Sequence, residues 1–215
     1  MKKNLTDDER KELDLRVAEA EKRTGAQIVL AVVDRSDVYA ELPWKAFALG
    51  ASAAGLVITA LDLVMSAWHS TTMVLSAVTA TLLAGAACGL ACVAFPAFAR
   101  LFLDANRAEV EARQYAKSLF LSREVFATRG RTGILLLVSL FEHQVIMLPD
   151  SGLAKRLGRE ASQAIIARMT ALLASGRIAN ALVEGLAGLE ASLRAAPEGV
   201  PVNELPNAIV EEKCS

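Results

Sequence analysis

The chain of 215 residues is 53% apolar, 22% charged and 5% aromatic, with 23 basic against 24 acidic side chains. A formal net charge of -1 excludes a strongly basic nucleic-acid binder, the apolar content excludes a wholly disordered chain, and three cysteines (Cys88, Cys92, Cys214) argue against a disulfide scaffold. The mean hydropathy of +0.37 is high for a soluble domain, and the charges show why: between Trp44 and Ala99 the only ones are Lys45 and Asp62.

In chain order, Thr6-Asp7-Asp8-Glu9 reads as a capping box, in which the Thr hydroxyl caps the helix and Glu9 reaches back to the N-cap amide. Leu13, Val17 and Ala20 form the apolar stripe of that helix, and Gly25 stops it after Lys22 and Arg23. Gln27 to Val33, rich in β-branched residues and apolar on both faces, reads as a strand inside a sheet covered by helices. No apolar signal-peptide core precedes it.

Two apolar stretches follow, 46–67 and 73–99, each long enough to cross a hydrocarbon core of about 30 Å at 1.5 Å per residue. Trp44 and Trp68 bracket the first at a spacing of about 36 Å, suited to opposite interfacial layers. The short link His69-Ser70-Thr71-Thr72 makes the two spans antiparallel neighbours, and it has no Lys or Arg. Lys22, Arg23, Arg35 and Lys45 before the hairpin, and Arg100, Arg107, Arg113 and Lys117 after it, place both termini in the cytoplasm, with the chain in the cell (inner) membrane.

Gly85 and Gly89 form a G-x-x-x-G for helix packing, expected against the first span through Ala51 and Gly55 or, secondarily, between copies. Cys88 and Cys92 share a face as small packing residues or as holders of a metal or acyl chain. Asp62 lies about 24 Å along the helix from Ala46 and reads either as an interfacial carboxylate or as an ion site.

Residues 104–126 predict an amphipathic helix with Val110, Ala116, Leu119 and Phe120 toward the core. Strands are expected at 134–140 and 145–148 around the turn Phe141-Glu142-His143-Gln144, and Pro149-Asp150-Ser151-Gly152 breaks the pattern. Helices follow through Ile165, Met169 and Leu173 and through Leu182, Leu186 and Leu189; the Pro-containing tail 197–215 is expected to be flexible. One helix and one strand cannot close a core alone. Residues 1–43 and 100–196 are therefore read as one α/β domain, a small sheet covered by helices and interrupted by a two-helix transmembrane hairpin at 44–99. The hairpin supplies the even number of crossings that keeps both parts on one side of a membrane.

The order of elements, together with Arg23-Thr24-Gly25-Ala26-Gln27-Ile28-Val29, the run Arg131-Thr132-Gly133-Ile134-Leu135-Leu136-Leu137-Val138-Ser139-Leu140, the turn at Glu142-His143 and Gly176-Arg177, resembles the TPM domain family, and in particular its membrane-attached bacterial members. The resemblance covers 23–34 and 104–195. It implies a sheet-and-helix fold and two kinds of activity: some members are acid phosphatases, others accessory proteins of membrane complexes. The family's acidic-Asn-Gly turn is Arg131-Thr132-Gly133 here, and its Asp-Arg pair is Glu142-His143.

Two functions follow. The first is a non-enzymatic interaction or assembly module, since the chain has no nucleophile triad, phosphate-cradling loop or zinc spacing. Its expected partners are the lipid bilayer and another membrane-associated protein, with a homodimer as an option and no nucleic acid. The alternative is a phosphatase-like hydrolase with Asp34, Asp37, Glu142, His143 and Asp150 as candidate catalytic residues. Asp34 and Asp37 would be the candidate metal ligands, for Ca²⁺ or Mg²⁺, because α/β sheets bind ligands beyond strand C-termini and hard cations take oxygen ligands. Transport through Asp62 is a third, weaker reading.

Overall fold

A computed structural model describes residues 5–65, 70–193 and 209–212. Trp68, His69 and Cys214 lie outside the described residues. The chain divides into two units, Met1–Asp37 with Ala108–Ser215, and Val38–Arg107.

The first unit is built on a sheet of β1 (Gln27–Val33), β2 (Gly133–Ser139), β3 (Gln144–Pro149) and β4 (Val210–Glu212) in the order β3-β2-β1-β4. β1 and β2 run parallel, Gln27 opposite Gly133 and Val33 opposite Ser139, while β3 returns antiparallel to β2. All seven residues of β1 and of β2 are buried, which is why both read as unbroken apolar runs rather than alternating ones. Helix α1 (Asp7–Thr24) begins at the expected capping box, in which Thr6 Oγ1 accepts the Glu9 N–H and Glu9 accepts the Thr6 N–H, and it ends on Gly25 at φ +67°.

One face of the sheet (Ile28, Leu30, Ile134, Leu136) packs on α1, α7 (Arg159–Ala174) and α8 (Ile178–Leu193), with Val17, Ile165, Met169 and Leu186 in the contact. A Cβ on Gly185 would meet Met169 Sδ at 2.6 Å, so α8 lies closer to α7 than any larger residue permits. The other face, Val29, Ala31, Leu135 and Leu137, is covered by α5 (Ala105–Ser122). Here the expected stripe is corrected. Val110 is 51% exposed, and Ala108, Ala112, Ala116 and Leu119 are buried. Val110 sits two positions from both Ala108 and Ala112, on the opposite side of a helix of 3.6 residues per turn.

The 197–215 tail, expected to be flexible, contains a strand. Val210–Glu212 pairs in parallel with Ala31–Val33, and Ile209 and Val210 are buried. Without it β1 would present its outward backbone groups as a bare edge.

The second unit is a helical hairpin of α2 (Glu41–Met65) and α3 (Thr71–Ala94), followed by the short α4 (Pro96–Ala99). Helix α3 starts on a Ser70 cap and stops at Phe95, held extended at φ -120° by the proline that follows, so the second apolar helix ends before residue 99. Gly85 and Gly89 pack against α2 as expected, but on Phe47 and Pro43; Gly50 meets Cys88, and Gly55 faces open space. At the base, Arg107 pairs with Glu41 at 2.8 Å and lies 5.8 Å from the Tyr39 ring, and Lys45 Nζ donates to the Phe102 carbonyl. Both long helices are apolar and long enough to span a membrane, and only 6% and 17% of their apolar windows are buried.

Candidate functional site

The carboxyl ends of β1 and β2 lie side by side because the two strands are parallel and in register, and the residues just beyond them form a polar knot. Leu140 N–H donates to the Val33 carbonyl and Phe141 N–H to that of Asp34, which seats the β2–β3 turn against the segment leaving β1. Ser36 N–H then donates to Glu142 Oε1 at 2.8 Å, Ser36 Oγ lies 2.9 Å from Ser139 Oγ, and Ser139 Oγ donates to Glu142 Oε2. All three side chains are buried. The turn closes at His143, in the left-handed region at φ +52°, and the Arg35 guanidinium stacks 4.3 Å from the Phe141 ring.

Of the candidate residues, Asp34, Asp37, Glu142 and His143 share this end of the sheet. Asp150 does not. β3 runs antiparallel, so Asp150 follows Pro149 opposite Ile134, at the other end of a strand about 20 Å long. There it caps α6 (Ser151–Ala154), accepting the Ser151 N–H at 2.6 Å, and pairs with Arg131 at 3.6 Å. Gly152 packs so tightly on this turn that a Cβ would meet the Gly130 carbonyl at 2.5 Å. The five candidates are therefore split, four at one end of the sheet and Asp150 at the other.

The chemistry this arrangement offers is positional. Both oxygens of Glu142 accept hydrogen bonds from the chain itself, and the serines bond to each other and to that carboxylate rather than to a histidine base. Among the described residues no group of three His, Cys, Asp or Glu is placed to hold a metal ion, so Asp34 and Asp37 would need oxygen ligands from elsewhere to hold Ca²⁺ or Mg²⁺. Sequence reasoning missed Ser36 and Ser139. The one local signal was the spacing of Ser139 and Glu142, three apart across a turn, whereas Ser36 joins them from 103 positions away. It also missed Glu21, a buried carboxylate whose Oε1 accepts the Ile28 N–H at the start of β1.

Residues 100–192 match the family model described as the TPM domain. Among solved structures, the BA42 protein of the psychrophilic bacterium Bizionia argentinensis, determined by NMR, matches with a TM-score of 0.59 over 99% of this chain and 98% of that one. At 14% identity that likeness speaks for the fold. No match was found among curated proteins. The matched residues comprise α5, β2, β3 and the helices after them, so the likeness to the TPM domain lies in the second half of the chain.

Proposed function

We propose that this protein is a membrane-anchored TPM-like domain that works as an interaction or assembly module rather than through turnover. The observation that carries the reading is the exposure of α2 and α3: two 24-residue apolar stretches turn nearly all their surface outward, which is costly in water and favourable in lipid. A core hairpin of a soluble protein would bury those faces. The basic residues flanking the hairpin and their absence from the link support a cytoplasmic side for both termini and the domain. Gly85 and Gly89 lie against Phe47 and Pro43 of the same chain, which supports a packing role for them within the hairpin. The hydrolase alternative is less favoured, because Glu142 is committed to Ser36 and Ser139 and Asp150 caps a helix at the far end of the sheet.

The test uses a chain with Cys88, Cys92 and Cys214 replaced by Ser. Single cysteines at Ser36 and Ser70 should be labelled from opposite faces of inside-out and right-side-out vesicles, and labelling of both from one face sinks the anchor. Purified protein in detergent should not hydrolyse p-nitrophenyl phosphate with Mg²⁺ or Ca²⁺. Turnover that is lost in Asp34→Ala or Asp37→Ala protein would replace the assembly reading with the phosphatase one.

A further inference from the structure

β1 would be an edge strand without β4, and its outward edge is fitted at both ends. Gln27 N–H donates to the Thr132 carbonyl, so the odd-numbered amides of β1 face β2 and those of Ile28, Leu30 and Val32 face outward. At one end Glu21 Oε1 takes the Ile28 N–H at 2.9 Å, which stops pairing there. At the other, Val32 lies opposite Glu211, so in a parallel ladder its N–H and C=O bond the flanking residues of β4.

Recognition on this edge is more than backbone. Ile209 is buried among the side chains on the α1, α7 and α8 face, and Val210 among those on the α5 face, as alternation along a strand requires. The Ile209 backbone bears on the Asp14 carboxylate of α1, pulling its pKa down against the burial that raises it. Two consecutive apolar residues anchored on opposite faces and a short stretch of edge bounded by Glu21 define a receptor for one extended motif. The occupant is short: three paired residues, joined to α8 by fifteen residues (194–208) that span up to about 50 Å when extended.

We propose that the outward edge of β1 is a strand-addition site for the Ile209-Val210 motif, filled by the chain's own tail and able to take the same segment from a second copy. Strand addition of this kind draws affinity from the main chain and specificity from the alternate side-chain pockets. Exchange between copies needs no new interface, since the contacts are identical and the connecting segment is long enough to reach a neighbour. The proposal rests on the sheet alone and not on the membrane reading.

The test uses the full-length chain in detergent with Ile209→Asp and Val210→Asp together, and a fluorescent peptide of residues 206–215. The variant should bind the peptide saturably, the unmodified chain at least tenfold more weakly, and a peptide with Asp at 209 and 210 not at all. A variant with unchanged circular dichroism that fails to bind, or equal binding by the unmodified chain, overturns the proposal. If the variant does not fold, hydrogen exchange on the unmodified chain decides. The Val32 amide should be protected yet exchange at least tenfold faster than Ala31, and its exchange at the rate of a free peptide amide overturns the proposal. Co-reconstituted with the variant, the unmodified chain should donate its tail and be retained on the tagged variant; no retention overturns the second-copy step.

Discussion

Helices α5 and α2 are built on opposite plans. α5 turns Ala108, Ala112 and Ala116 inward and its charged residues outward, and its small buried face lets the backbone approach the sheet closely. α2 turns Leu56, Leu63 and Val64 outward and keeps Gly50 for the face it shares with α3. Large apolar residues are thus turned inward in one unit and outward in the other, and this is the sorting that the proposed lipid surroundings of the hairpin would favour: without a hydrophobic drive between helices, small residues mediate contact and large ones meet the surroundings. Hydrophobicity alone does not mark the core of this chain; packing partners do.

That contrast is broken or sharpened most strongly by one substitution made twice. Leu136→Ala, in the buried middle of β2, should cost about 2–5 kcal/mol in urea unfolding of the domain followed by circular dichroism. Leu56→Ala removes the same atoms from a side chain 72% exposed and should leave that transition in place. Leu56→Arg is next. On the surface of a soluble helix it would be nearly neutral, whereas near the middle of a span it should disfavour insertion by about 2.5–3.5 kcal/mol, read as loss of protein from carbonate-washed membranes. Glu142→Ala follows: Ser36 N–H and Ser139 lose a buried acceptor, at a cost of about 1–3 kcal/mol in the same urea transition.

The smallest effects are those of pH. Burial raises the Asp14 carboxyl above its ordinary range, outweighing the Ile209 N–H and Arg10, which pull it down. The folded chain then holds that proton more tightly than the unfolded one, so the stability Asp14 contributes is full below its unfolded pKa and is lost as pH rises through the folded one. Asp14→Asn should therefore gain in melting temperature on the parent as pH rises from acid to neutral. Glu9 runs the other way. Hydrogen bonds from the Thr6 backbone and hydroxyl lower its pKa, so its contribution is present above the ordinary glutamate range and is lost as pH falls through the folded value. Glu9→Ala should narrow its deficit against the parent at acid pH; a constant deficit would show that the capping box is not titrating.

Much of this was legible in the residues. The six-residue apolar run Ile28–Val33 has no other stable home than a covered sheet, and a 56-residue block whose only charges are Lys45 and Asp62 is a gap that soluble folds rarely carry. The capping box and Gly25 mark the limits of α1 by local hydrogen bonding alone. What was not legible is tertiary. Alanine carries so little hydrophobic signal that Val110 entered the expected stripe of α5 while Ala108 and Ala112 were passed over. Ile209 and Val210 stand alone between prolines and acids, with no period to announce a strand, and their partners lie 178 or more positions upstream. Glu142 reads from the sequence as a turn residue and candidate catalytic acid, and its bond to Ser36 is hidden because the two are 106 positions apart.

The parallel pairing of β1 with β2 also sets a timetable. Ile28 leaves the ribosome 106 positions ahead of Ile134, the residue it must lie beside. At synthesis rates of about 5–20 residues per second, that is a wait of roughly 5–20 s with a wholly apolar strand made and its neighbour not yet translated. Both apolar helices are synthesised inside that interval. Among the described residues, helix α1 is the one partner for β1 that is complete from the outset, and it holds the Ile28 amide through Glu21. If the hairpin inserts in a membrane as proposed, slowing that insertion would lengthen the exposure of β1, so that defects in the hairpin surface first as aggregation of the nascent domain.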